Sequence, residues 1–300
     1  MRGAWISVVV TVTGCDVVYG LSGRADAAPP TADASAIDAA MPEQCAFGAP
    51  VQLEFGANVQ PLHDFADDGS GRAFISAFIT ETITQSRSGA LLDTGTWVHD
   101  LSARDTVGGF TGVRPEPTDP MQMYGLVTMT VTNYLARWQL ESSGWEIVDM
   151  RAIDERERVG NGRVLDGKRV YVTTQKPISL DPGTRMVLRI LDGESWNEED
   201  RMAAINAAQI PDLGVLTRDG LTLIYSARIR SELQFDLYMS TRPSLADNFP
   251  IGTKLDAPNT DASEVEPWIS GACDRLYFRR GPTFFGEVGQ LSSIFVTTLP

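Results

Sequence analysis

Residues 211–227 read PDLGVLTRDGLTLIYSA, and FDLY follows at 235–238. Asp219-Gly220 is a tight-turn pair, and the alternating apolar residues after it predict the second arm of a β-hairpin. FDLYMST (235–241) then supplies a third strand. The same succession occurs elsewhere in the chain, as DDGSGRAFISA (67–77), LDGKRVYVTT (165–174) and ACDRLYFRR (272–280), with YGLVTMTVT (124–132) as a copy lacking Asp-Gly. Third runs recur too, as LLDTGTW, YLARWQL, RMVLRIL and SIFVTTL.

Aromatic residues set the period of this repetition. Phe47, Trp97, Trp145, Trp196 and Phe249 recur about every fifty residues. Each is followed by an apolar residue (Leu53, Leu101, Met150, Met202, Leu255) and then by an Asx (Asn58, Asp105, Asp154, Asn206, Asn259) suited to cap a turn where a strand exits. Four short antiparallel strands per unit of this length predict the blades of an all-β β-propeller. Phe47 to Leu53 has no unit before it and the last unit stops at its third strand, so the two fragments together make one blade. The expectation is five four-stranded blades closed by the N-terminal strand, which removes both free edges.

The last two units resemble the repeats of TolB-like propellers. The residues that carry the resemblance are Pro211 to Ala227 with Phe235-Asp236-Leu237-Tyr238, and Pro267-Trp268-Ile269-Ser270 with Arg275-Leu276-Tyr277-Phe278. It extends over Phe47 to Pro300 but is specific only in the last 90 residues or so, and familiar members of that family have six blades. A sixth blade has no residues left to form it here.

Upstream, Arg2 precedes an apolar stretch from Ala4 to Gly14 that ends in Val12-Thr13-Gly14-Cys15. This resembles the bacterial lipobox, which implies a signal peptide over 1–14 and a lipid on Cys15 anchoring the mature chain. Residues 15–44 are then a lipidated tether. Ser22 to Gln44 holds eight Ala, three Pro and three Asp without an aromatic residue, too little apolar surface to fold, and as a flexible coil it spans roughly 26 Å. The propeller occupies 45–300, and the expected address is the cell envelope. The formal charge of -14, from 39 acidic and 25 basic side chains among 300 residues, repels phosphate backbones and excludes nucleic acid as a partner. No apolar run reaches the roughly 20 residues of a membrane helix.

Candidate sites are few. With Cys15 acylated, Cys45 and Cys273 are the remaining pair, and blade closure would put both on one face, where a disulfide is expected. Gly162 to Lys168 imitates a phosphate-binding loop, but Arg169 stands where Ser or Thr should follow and a β-run replaces the helix. It reads as a hairpin, not a nucleotide site. Two histidines, His63 and His99, predict neither a zinc site nor a triad, and Asp67-Asp68-Gly69-Ser70-Gly71 lacks the later acid of a calcium loop. No cofactor or metal is expected. The channel face should collect Gln60, His63, Asp119, Arg158, Asp212, Glu266 and Trp268, with Trp268 as an apolar anchor. The leading expectation is a non-enzymatic platform for a protein or peptide partner. The alternative is a propeller that binds or cleaves glycans with two nearby carboxylates.

Overall fold

The computed structural model describes residues 45–55, 60–67, 72–80, 83–91, 96–99, 110–116, 119–129, 132–141, 144–153, 157–175, 183–192, 195–270, 273–281 and 293–298. Cys15 and the tether lie outside the described residues. The N-terminal segment forms β1 (Val51–Gln52) and β2 (Glu54–Phe55). Next come β3 (Gln60–Asp67), β4 (Arg72–Thr80), β5 (Ile83–Leu91) and β6 (Thr96–His99), then β7 (Phe110–Glu116), β8 (Asp119–Met129), β9 (Thr132–Glu141) and β10 (Gly144–Ile153). β11 (Glu157–Leu165), β12 (Lys168–Gln175), β13 (Arg185–Asp192) and β14 (Ser195–Glu199) lead to a one-turn helix, α1 (Ala203–Ala208). β15 (Gln209–Leu216), β16 (Thr222–Ile229), β17 (Asp236–Thr241) and β18 (Thr253–Lys254) follow, and β19 (Ser263–Ile269), β20 (Arg275–Gly281) and β21 (Ser293–Thr298) end the described chain.

These strands form successive antiparallel meanders, each beginning with a first strand: β3, β7, β11, β15 or β19. Each first strand touches the next, and β19 returns to β3, so they surround a common axis. The fold is an all-β propeller. The last sheet is completed from the other end of the chain, because β1 pairs with β21 through Val51 and Val296 and through Gln52 and Phe295. Flanking bonds extend the clasp: the Gly48 N–H donates to Thr298 O and the Leu53 N–H to Ile294 O, both at 2.8 Å. Cys45 is disulfide-bonded to Cys273 with 5.5 Å between their Cα atoms. Two residues after β1, β2 runs parallel to β6 as a fifth strand on the first sheet's outer edge, a pairing the repeat pattern does not announce.

Two Asp-Gly pairs make hairpins that join a first strand to its second. Asp166 (φ 49°) and Gly167 (φ 74°) both take positive φ, the turn whose twist matches flanking strands, so the Gly162–Lys168 run is a hairpin. In the next sheet the Asp219 carboxylate accepts the Leu221 N–H at 2.9 Å and the Thr217 hydroxyl at 2.5 Å beside Gly220 (φ 71°). The recurrent Asx does more than cap. Asn206 accepts the Met186 N–H and donates to the Met186 carbonyl; Asn259 does the same with Leu237. Each therefore replaces a missing strand neighbour on the third strand of the preceding sheet. Asn58, Asp105 and Asp154 lie outside the described residues.

Sheets bury both faces against their neighbours, which is why strands such as LTLIY are apolar nearly throughout. One layer packs Val215, Ile224 and Leu237 against Trp268, Leu276 and Phe278; another packs Val172, Met186 and Leu188 against Leu216, Leu223 and Tyr225. At about 1.5–3 kcal/mol for each large apolar side chain buried, these layers supply the cohesion between sheets.

Candidate functional site

Every described first strand slips against its second strand, β3 on either side of His63 and β7 between Thr111 and Arg114, and the other three do so at one matching place. Their ladders to the second strand slip by one residue between Val159 and Gly162 in β11, between Pro211 and Gly214 in β15, and between Val265 and Trp268 in β19. Such a bulge re-aims the extra residue's side chain. The residues in the slip include Asp212 in β15 and Glu266 in β19, the latter at φ 56°. In β11 the matching residue is Gly160, where a Cβ would overlap the Gly214 carbonyl, so glycine lets β11 and β15 approach closely.

Arg158, two residues ahead of that glycine, bridges the two acids. Its Nη1 donates to Asp212 Oδ1 at 2.5 Å and its Nη2 to Glu266 Oε1 at 2.7 Å. From β20, Arg279 Nε faces Glu266 Oε2 at 3.0 Å and its Nη2 donates to Oε1 at 3.3 Å. The cluster is graded in exposure. The Glu266 side chain is 1 % exposed, that of Asp212 13 % and that of Arg158 29 %, so the guanidinium that links the acids is the part open to solvent. Two charges of each sign balance, and because both carboxylates share one guanidinium they stand within about 8 Å of each other. One position before the slip pair, Glu264 is wholly buried, bound by Arg280 Nε at 2.8 Å and the Thr260 hydroxyl at 2.6 Å, and burial pushes its carboxyl above the usual range.

The expected channel set is thus brought together only in part. Arg158, Asp212 and Glu266 meet. Gln60 and His63 stand on β3, the first strand of its sheet and a neighbour of β19. Asp119 does not belong to the group. The first strand of its sheet is β7, so Asp119 opens the second strand, opposite Glu116 across the hairpin at the strand's far end. Trp268 is likewise corrected: it is 2 % exposed, lies opposite Tyr277 and belongs to the apolar layer. Simple alternation would put residues 266 and 268 on one face, but the slip between them breaks that parity. Arg279 was missed by the sequence reading. The signal available was the charged end of LYFRR, opposite Val265 at the slip.

No protein-family model matches the chain, and no curated protein matches it in sequence. Solved structures do match in shape. An endo-arabinanase of glycoside hydrolase family 43 from Bacillus licheniformis superposes with a TM-score of 0.52 at 12% identity, over 82% of this chain and 96% of its own. An endo-arabinase from Bacteroides thetaiotaomicron gives 0.54 at 8% identity, over 85% and 98%. The chain has the fold of these glycan-cleaving propellers. A mannose phosphorylase from Leishmania mexicana gives 0.54 at 8% identity, over 85% and 88%. This overturns the expectation of a non-enzymatic platform for a protein or peptide: the neighbours in shape act on glycans. Of the residues expected on the channel face, the two carboxylates and the arginine that joins them do meet, while Trp268, expected there as an apolar anchor, is buried in the layer between sheets.

Proposed function

We propose that this chain is a five-bladed propeller acting on glycans, held in the cell envelope by a lipid on Cys15, and that Asp212, Glu266, Arg158 and Arg279 form its saccharide site. The observation that carries the reading is Arg158 bridging two acids from neighbouring first strands, one of them almost wholly buried. Five blades are supported by the five sheets of described strands and the closed succession of their first strands. The anchor and the TolB-like character rest on the sequence features around Cys15 and in the last two units.

Paired carboxylates within 10 Å are the means by which most glycosidases work, one handing a proton to the leaving oxygen and the other orienting water or attacking the sugar. Arg158, as the exposed member, turns to a saccharide hydroxyl when substrate arrives. Glu266 then keeps Arg279 as its counter-charge, whereas Asp212 is left without one. Asp212 is therefore assigned proton donation and Glu266 the orientation of water. The endo-arabinanases suggest where to look first, so arabinan, with a mannan and a fructan as comparators, is the substrate panel. Release of reducing ends that disappears in Asp212→Asn and Glu266→Gln supports cleavage. Retention on an immobilised glycan without release, lost in Arg158→Met, restricts the site to binding. Neither release nor retention on any of the three refutes the proposal.

A further inference from the structure

The slip holds an acid in β15 and in β19 but not in β11. The residues between the paired positions are Asp212-Leu213 and Glu266-Pro267 in the first two, and Gly160-Asn161 in the third. Gly160 is buried, and its φ lies outside the left-handed region, which among the described glycines is taken by Gly167 and Gly220. Backbone conformation therefore admits a side chain at 160, and what forbids one is space. A Cβ there would overlap the Gly214 carbonyl oxygen and stand 3.3 Å from the Val172 carbonyl oxygen, so backbone of β15 and of β12 closes in on it.

This contact lies next to the acid cluster on both strands. Arg158 is two residues before Gly160 and Asp212 two residues before Gly214, about 7 Å along a strand, so a displacement at the glycines carries to the ion pair. Arg158 spends one planar fork on two carboxylates, Asp212 at 2.5 Å and Glu266 at 2.7 Å, and thereby ties β11 to β15 and β19 together. A fork that holds two fixed partners cannot follow a retreating strand and keep both. An acid at 160, in the manner of the other two strands, would set a third carboxylate against two guanidiniums, and glycine leaves that room to the Gly214 carbonyl instead. Gly214 itself is less constrained, since a Cβ on it meets Met186 Sδ at 3.0 Å and Leu223 Cδ1 at 3.1 Å, the ends of flexible side chains.

We propose that Gly160 is a positioning residue: by seating β11 on the Gly214 carbonyl it sets the gap across which Arg158 bridges Asp212 and Glu266, and with it the state in which the channel receives a saccharide, a consequence that rests on the saccharide reading above. Crystal structures of the variants, with retention on immobilised arabinan, mannan and fructan, test it. Gly160→Ala should push β11 from β15 by about an ångström and lengthen at least one of the two Arg158 contacts beyond about 3.5 Å, whereas Gly214→Ala should keep both. Retention by Gly160→Ala should fall roughly tenfold or more, as misplacement of a binding group on this scale does. Arg158→Met decides if Gly160→Ala does not fold: with the ion pairs gone, β11 should still rest on the Gly214 carbonyl, because the glycine and not the charges sets the gap. The proposal fails if both contacts stay short in Gly160→Ala, if Gly214→Ala breaks them to the same extent, or if the strands part in Arg158→Met. A wild-type chain that neither cleaves nor retains any of the three glycans overturns the saccharide reading alone, and the crystallographic comparison still decides for or against Gly160.

Discussion

Replacing Arg279 by Met tests whether the buried Glu266 carboxylate depends on its guanidinium partners. Arg279 supplies the contact to Oε2 at 3.0 Å and a weaker one to Oε1 at 3.3 Å, and its own side chain is only 12 % exposed. Methionine keeps much of the stem's packing, so the substitution removes mainly charge and hydrogen bonds. Breaking a buried pair from one side costs about 3–5 kcal/mol because the surviving charge stays buried. Arg158 remains on Oε1, which lowers the expected loss to about 2–3 kcal/mol, or a midpoint drop of roughly 4–12 °C for a domain of this size. Glu266→Gln should cost less than the arginine substitution, since a neutral amide no longer needs a counter-charge. Combined with Arg279→Met it should recover stability, giving a coupling energy of at least about 1.5 kcal/mol in urea unfolding. Additive losses within about 0.5 kcal/mol would refute the dependence and with it the view of this cluster as one electrostatic unit.

Cys45→Ser opens a disulfide whose ends are 228 residues apart, and chain-entropy reasoning puts the loss near 5 kcal/mol, readable as a large fall in the urea midpoint. Trp268→Ala should cost about 3–5 kcal/mol while leaving glycan retention at the channel intact in material kept folded by low temperature; a stable mutant that no longer binds would return Trp268 to the site. Burial raises the Tyr225 and Tyr238 hydroxyls above their ordinary value of 10.0. The unfolded chain therefore ionises first as pH rises, and the stability these neutral phenols contribute is present below about pH 10 and lost above it, which a stability-versus-pH curve on Tyr225→Phe should show as a flattened alkaline limb. Cys15→Ala should abolish palmitate labelling and membrane retention, and unchanged fractionation would remove the lipid anchor.

Legibility in the sequence followed the range of the interactions. Asp166-Gly167 and Asp219-Gly220 announce their hairpins because a two-residue turn is a local choice, and the strands on either side inherit their boundaries from it. Arg158, Asp212 and Glu266 could be placed together because each precedes the turn into its own second strand by seven or eight residues. What stayed hidden depends on ladder register. Nothing in VEPWIS states that one residue is looped out opposite Arg279 and Tyr277, yet that slip sends Glu266 to the acid cluster and Trp268 to the interior. The second unit, without an Asp-Gly turn, gave no marker for where its first strand ended, so Asp119 was assigned to the wrong end of the sheet. The place of Arg279 beside Glu266 arises only when separate strands meet.

The clasp formed by β1 and β2 has a consequence for how the molecule comes to exist. β1 and β21 are separated by more than two hundred residues of intervening chain. At biosynthetic speeds of about 5–20 residues per second, β1 waits on the order of ten seconds or more for its partner. Meanwhile β2 can settle on β6 as soon as the first meander exists, holding the leading segment in place while the later meanders accumulate beside it. A chain interrupted anywhere before Cys273 would display a bare strand at each extremity and a lone Cys45 thiol, a combination that quality-control proteases and neighbouring copies can both recognise. Completion is thus an all-or-none event that occurs only after the final strand has arrived.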